Sequence, residues 1–144
     1  MLVMKILESK ADSSVLTVPG TTNVSDVVAL LSEKRLGTVV VSEDGTTPAG
    51  ILSERDIVRE LGKRGPGCLS ETAQSMMTRD PVTCAPEDSA HAVLEKMTDG
   101  RFRHLPVMRD GEMIGLISIG DVVKARLSEL AMEKTALEDM ISGR

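Results

Sequence analysis

The sequence predicts an α/β (α+β) fold made of two copies of one β-α-β-β-α unit, with a short helix before them and an extended helix after them. Three observations carry this. The strand-to-helix stretch Gly50-Ile51-Leu52-Ser53-Glu54-Arg55-Asp56 recurs as Gly115-Leu116-Ile117-Ser118-Ile119-Gly120-Asp121. The apolar stripe Val24, Val27, Val28, Leu31, spaced i, i+3, i+4, i+7, recurs as Ala90, Val93, Leu94, Met97. The registers also agree: Thr83 minus Thr17, Met97 minus Leu31 and Asp110 minus Asp44 are each 66, while Gly115 minus Gly50, Ser118 minus Ser53 and Asp121 minus Asp56 are each 65. One extra residue in the first hairpin turn, Thr46-Thr47-Pro48, accounts for the change. Stripe, turn and cap that stay aligned over such a distance mark a duplicated unit.

Taken in order, Leu2, Val3, Ile6 and Leu7 place apolar residues four apart and suit a short amphipathic helix. Ala11 to Ser14 is a turn, and Val15 to Val18 a short strand stopped by Pro19-Gly20. The first striped helix follows. Thr38 to Val41 is β-branched throughout and predicts a buried strand. Asp44-Gly45 signals a turn, and Ala49 to Leu52 the next strand. Ser53 opens a helix carrying Ile57, Val58 and Leu61. Gly62-Lys63-Arg64-Gly65-Pro66-Gly67 breaks that helix and reads as a flexible linker. The order then repeats: a short helix over Thr72 to Met77, a strand over Val82 to Cys84, the second striped helix, strands over His104 to Val107 and Met113 to Ile117, and a helix opened by Ser118. That last helix is expected to run from Val122 to about Ile141, beyond what the repeat needs; the surplus half suits packing on a second subunit or a solvated tail. The expected division is 1–62 (first helix and repeat), 63–71 (linker), 72–127 (second repeat) and 128–144 (helical extension).

Composition narrows the function classes. With 41% hydrophobic and 27% charged residues, the 144-residue chain has a globular rather than a disordered balance. No apolar run approaches the ~20 residues that span a bilayer, so no membrane association is expected. Twenty-two acids against 17 bases give a net charge of -5, and Phe102 is the lone aromatic. The basic surface and stacking platforms of a nucleic-acid binder are therefore missing. Met1 to Lys10 places Lys5 and Glu8 among its apolar residues and does not read as a signal peptide. Cys68 and Cys84 form no CxxC pair, which together predicts reduced thiols and a cytoplasmic location. Two histidines give little support to a metal site, and His91 is assigned no role. Gly62-Lys63 fails as a phosphate-binding loop, because Ile57 stands where the first glycine belongs and Arg64 replaces the hydroxyl residue.

The repeated joint has its own chemistry. Serine and aspartate three apart at a helix start form a capping box, which alone stabilises by about 0.5–2 kcal/mol. The same geometry puts a carboxylate, able to accept from both hydroxyls of a ribose, beside helix-start N–H groups that favour an anion. Arginine adds a planar fork that fits phosphate.

The repeat order, the Gly-x-x-Ser-x-x-Asp joint and Arg103-His104-Leu105-Pro106-Val107 together resemble a tandem cystathionine-beta-synthase (CBS) domain protein over nearly the whole chain. The resemblance implies a stand-alone CBS pair, packed with pseudo-twofold symmetry around two clefts that bind AMP, ADP, ATP, S-adenosylmethionine or NAD. It implies that Asp56 with Ser53, and Asp121 with Ser118, hold ribose, and that Arg103, His104 and Arg55 meet phosphates from the opposite repeat. Thr17, Val18, Thr83 and Cys84 would edge the adenine slot. It further implies a non-catalytic regulator with no obligatory cofactor, a homodimer, and an effector protein that receives the signal. The competing expectation is a structural or protein-interaction CBS dimer with degenerate clefts. Arg103 and His104 correspond by register to Gly37 and Thr38, and Arg55 to Gly120, so the two sites are expected to bind unequally.

Overall fold

A computed structural model of the chain describes residues 1–143. Among these residues six α-helices and six strands follow one another: α1 (Val3–Ser9), β1 (Thr17–Val18), α2 (Val24–Lys34), β2 (Thr38–Val41), β3 (Gly50–Ser53), α3 (Glu54–Arg64), α4 (Ala73–Met76), β4 (Thr78–Arg79), α5 (Ala90–Gly100), β5 (His104–Arg109), β6 (Glu112–Ser118) and α6 (Ile119–Ser142). They divide into two compact units. The first-repeat unit holds Ser14–Val82 with the hairpin tip Asp110–Ile114; the second-repeat unit holds Met1–Ser13, Thr83–Arg109 and the chain from Gly115 onward.

In the first-repeat unit four strands lie in the order β1-β2-β3-β4. β1 runs parallel to β2, with Thr17 opposite Val40 and Val18 opposite Val41. β3 returns antiparallel, pairing Thr38 with Ser53 and Val40 with Ile51. β4, which the sequence pattern did not suggest, adds Thr78 opposite Ile51. Val18, Val24, Val27, Leu31, Val39, Leu52, Ile57 and Met76 close one core between this sheet and its helices. The expected flexible linker is ordered: after α3, Gly65 at φ 77° turns the chain into a 3-10 turn over Pro66–Ser70. Cys68 of that turn is buried in the core, and Arg64 pairs with Glu71 across it.

β5 and β6 form a two-stranded sheet. Asp110 and Gly111, at φ 50° and 81°, supply the left-handed pair that a tight hairpin turn requires. The expected strand Val82–Cys84 shrinks to a single bridge between Cys84 and Val107. The cause is local. In the first repeat the Val40 N–H donates to the Leu16 carbonyl at 3.0 Å. The residue in register with Val40 is Pro106, which has no N–H to give Val82. Only Cys84 keeps its bonds, accepting from Met108 and donating to the Pro106 carbonyl.

The compact units cut across the order expected from sequence, which grouped α1 with the first repeat. The α1 segment repeats the role of α4, at an offset of 70 (Val3 to Ala73). The Val3 N–H donates to the Asp88 carbonyl at 2.9 Å, as the Ala73 N–H does to Thr22 at 2.7 Å. The Met4 N–H reaches Pro86 at 3.0 Å, as Gln74 reaches Gly20 at 3.0 Å. Each repeat is thus completed by a helix that lies elsewhere in the chain.

Candidate functional site

Both joints form as the capping spacing predicts. At the first, Ser53 ends β3 and caps α3: its N–H and Oγ donate to Asp56 Oδ2 at 3.0 and 2.9 Å, and its Oγ accepts from the Asp56 N–H at 3.2 Å. At the second, the Ser118 N–H donates to Asp121 Oδ2 at 3.0 Å, and the Asp121 N–H donates to Ser118 Oγ at 3.1 Å. The first helical N–H is also spent in each: Glu54 donates to the Gly37 carbonyl and Ile119 to the Arg103 carbonyl, both at 2.8 Å. The donors for an anion are therefore fewer than the sequence suggested. Among the described residues, the amides of Arg55 and Gly120 remain to the first turns.

The glycine that opens each joint has a packing reason. A Cβ on Gly50 would run into Met77 and stand 2.8 Å from the Thr78 carbonyl; one on Gly115 would stand 3.0 Å from both Leu7 methyls. Met77 and Leu7 are themselves related by the offset of 70. The β3 and β6 strands are thus held close under the α4–Thr78 and α1–Lys10 segments.

Those segments also make the two carboxylates unequal, a difference the sequence reading missed. Lys10 Nζ lies 3.0 Å from Asp121 Oδ2 and donates to the Leu116 carbonyl at 3.1 Å. Lys10 and Asp121 keep 27% and 23% of their side chains exposed. Burial pushes the Asp121 carboxyl up, but hydrogen bonds from Ser118 and Lys10 and the lysine charge outweigh it and hold it below the usual carboxylate range. The offset of 70 places Asp80, an exposed anion, where Lys10 stands in the other repeat. The partner of Asp56 comes instead from its own helix: Arg59 donates to Oδ1 at 3.0 Å, from a half-exposed position. The 111 positions between Lys10 and Asp121 hid the pairing; the repeat at offset 70 was the available signal.

The other expected residues divide. Arg55 and Arg103 are exposed, and His104, at the start of β5, is half-buried. Thr17 and Thr83 are half-buried, whereas the Val18 and Cys84 side chains belong to the cores. Burial, with the Asp88 charge nearby, pushes the Cys84 thiol up to about 12. A cavity of 520 Å³ lies in the first-repeat unit, but it opens on the helical face, lined by Val28, Leu31, Leu36, Val58 and Leu61, and neither Ser53 nor Asp56 lines it. Among the described residues no group of three or more His, Cys, Asp or Glu is placed to hold a metal ion, and no helix is long and apolar enough to cross a membrane.

Two β-α-β-β-α units, each closed by a capped carboxylate at a strand-to-helix joint, define a tandem-repeat α/β protein. The CBS domain family matches the chain twice, over residues 8–63 and 73–128, and the chain belongs to that family. It is similar to the CBS domain-containing protein CBSX3, mitochondrial, of Arabidopsis thaliana, with 36% identity over 145 residues, 98% of this chain and 70% of that protein. It spans about a quarter of the length of CBSCBSPB relatives from the same plant. Among solved structures it is similar to the CBS-domain containing protein ATU1752 from Agrobacterium tumefaciens, at TM-score 0.82 and 36% identity, covering 88% of this chain and 99% of that one. It is also similar to the CBS domain protein PAE2072 from Pyrobaculum aerophilum complexed with AMP, at TM-score 0.76 and 28% identity, covering 92% and 99%.

Proposed function

We propose that the protein is a non-catalytic regulatory module that binds an adenine nucleotide (AMP, ADP, ATP or NAD) and passes its occupancy to a partner protein. The observation that carries this reading is the pair of capped, partly exposed carboxylates, Asp56 and Asp121, in a chain whose relative is complexed with AMP. Each carboxylate accepts ribose hydroxyls, with Ser53 or Ser118 holding it in place. Arg55, Arg103 and His104 are assigned to phosphate, and the edges near Thr17, Val18, Thr83 and Cys84 to the base. The reading places the protein in the cytoplasm, on its free, buried cysteines.

Thermal denaturation with each nucleotide, and with S-adenosylmethionine, tests it. A ligand at a hundred times its dissociation constant adds about 2.7 kcal/mol, several degrees of melting temperature. The expected result is such a shift with at least one adenine nucleotide, reduced in Asp56→Ala. No shift with any of them at millimolar concentration overturns the reading. It would favour a protein-interaction module, for which the closed Lys10–Asp121 pair already speaks at one joint.

A further inference from the structure

The two joints differ in what holds the segment that crosses them. In the first-repeat unit that segment is β4: Thr78 lies opposite Ile51 and Arg79 opposite Gly50, and the Asp80 N–H donates to the Ala49 carbonyl at 3.2 Å. Backbone fixes it to β3, while Asp56 pairs with Arg59. By the offset of 70, Glu8, Ser9 and Lys10 stand in those places in the second-repeat unit. There no strand forms among the described residues: Glu8 and Ser9 close α1, and β6 has β5 as its partner. A side chain takes over. Lys10 Nζ donates at 3.1 Å to the carbonyl of Leu116, the residue in register with Ile51, and at 3.0 Å to Asp121 Oδ2. Val3, Ile6 and Leu7 bury the earlier part of α1, so Lys10 secures its end and the chain that leads on to β1.

We propose that Lys10 is a ligand-operated strap: a nucleotide seated on Asp121 unhooks it, and occupancy of this one joint loosens the end of α1. The proposal rests on the reading of Asp121 as a ribose acceptor. A carboxylate oxygen accepts about two hydrogen bonds, and Oδ2 already takes the Ser118 N–H and Lys10. A diol that uses both oxygens needs the lysine's place, because the serine amide is fixed by the cap itself. The hook is then reduced to its bond with the Leu116 carbonyl, without the opposite charge that strengthened it. The same event at Asp56 displaces Arg59, a residue of its own helix, and leaves β4 on its ladder. The two joints thus share a ribose acceptor, but a moving part belongs to the second alone.

Hydrogen exchange of the full chain, read at single amides, tests the strap. In the free protein, Lys10→Met is expected to speed exchange at positions 8 to 10 by about tenfold, the effect of one lost charged hydrogen bond. Exchange in α5 and β5 should not change, and Arg79→Met should leave positions 78 to 80 as they were. In the wild type, AMP or ATP, at a concentration that calorimetry shows to saturate the chain, is expected to produce the same rise at positions 8 to 10. In Asp121→Ala, where the hook is already lost, the nucleotide should add nothing. A Lys10→Met variant with unaltered exchange overturns the strap. So does a saturated wild type whose positions 8 to 10 exchange no faster, a result that leaves the binding reading intact. If neither nucleotide binds, the ribose reading itself falls, and the strap falls with it.

Discussion

Asp121 and Asp56 show how one motif acquires two electrostatic settings. Both are tied to the serine that caps their helix, but Asp121 also holds Lys10, whereas the position related to Lys10 is Asp80 in the other repeat. If these carboxylates hold ribose as proposed, a ribose at Asp121 competes with an ammonium already in place, and one at Asp56 with the half-exposed Arg59. On the binding reading, calorimetric titration should find the stronger site lost in Asp56→Ala, with a fall of roughly 10- to 100-fold, the worth of a charged hydrogen bond. Lys10→Met should strengthen the weaker site and leave the stronger one unchanged. Two identical sites in the wild type would contradict this. The pair also predicts a pH dependence. Because the folded carboxyl titrates below its ordinary value of about 3.9, its contribution is fully present above that pH and is lost as pH falls through the folded value. Acid unfolding below about pH 4 should therefore be less steep in Lys10→Met, where the depression shrinks.

The joint is an assembly of three elements, and its glycine records the closest approach among them. Gly50→Ala should cost more stability than Gly115→Ala, because the first meets the Thr78 carbonyl of a paired strand at 2.8 Å and the second only the side-chain methyls of Leu7 at 3.0 Å. Overpacking of this kind costs about 1–3 kcal/mol, and chemical denaturation of the two variants gives the order. Much of this level was legible in the sequence. Stripes, turns and caps are local patterns, so α2, α5, β2 and both Ser-Asp boxes stand where periodicity put them. What failed depended on partners. The Val82–Cys84 strand needed an N–H that Pro106 lacks; β4 exists because β3 has a free edge beside it. The linker looked flexible from its glycines, yet Cys68 had a core to enter. Lys10 escaped notice because a salt bridge across 111 positions leaves no local trace.

Across the molecule, chain order and spatial order are interleaved. The α1 segment belongs with residues 83–109 and those beyond Gly115, and the segment around α4 completes the repeat before it. Damage to α1 should therefore appear far from it in sequence. Ile6 is 3% exposed, and Ile6→Ala, a cavity worth about 2–4 kcal/mol, should weaken hydrogen-exchange protection in α5, β5 and the start of α6. Protection in α2, β2 and β3 should persist; a uniform loss would mean that the units open together. The placement of α1 has a further consequence during synthesis. Residues 1–13 are made well before Ala90 and the strands after it, with which they pack. Ser14–Val82, already carrying α4, has most of its unit in hand by then. Until those partners are made, Val3, Ile6 and Leu7 lack the neighbours that bury them in the fold, an apolar segment for a chaperone to hold.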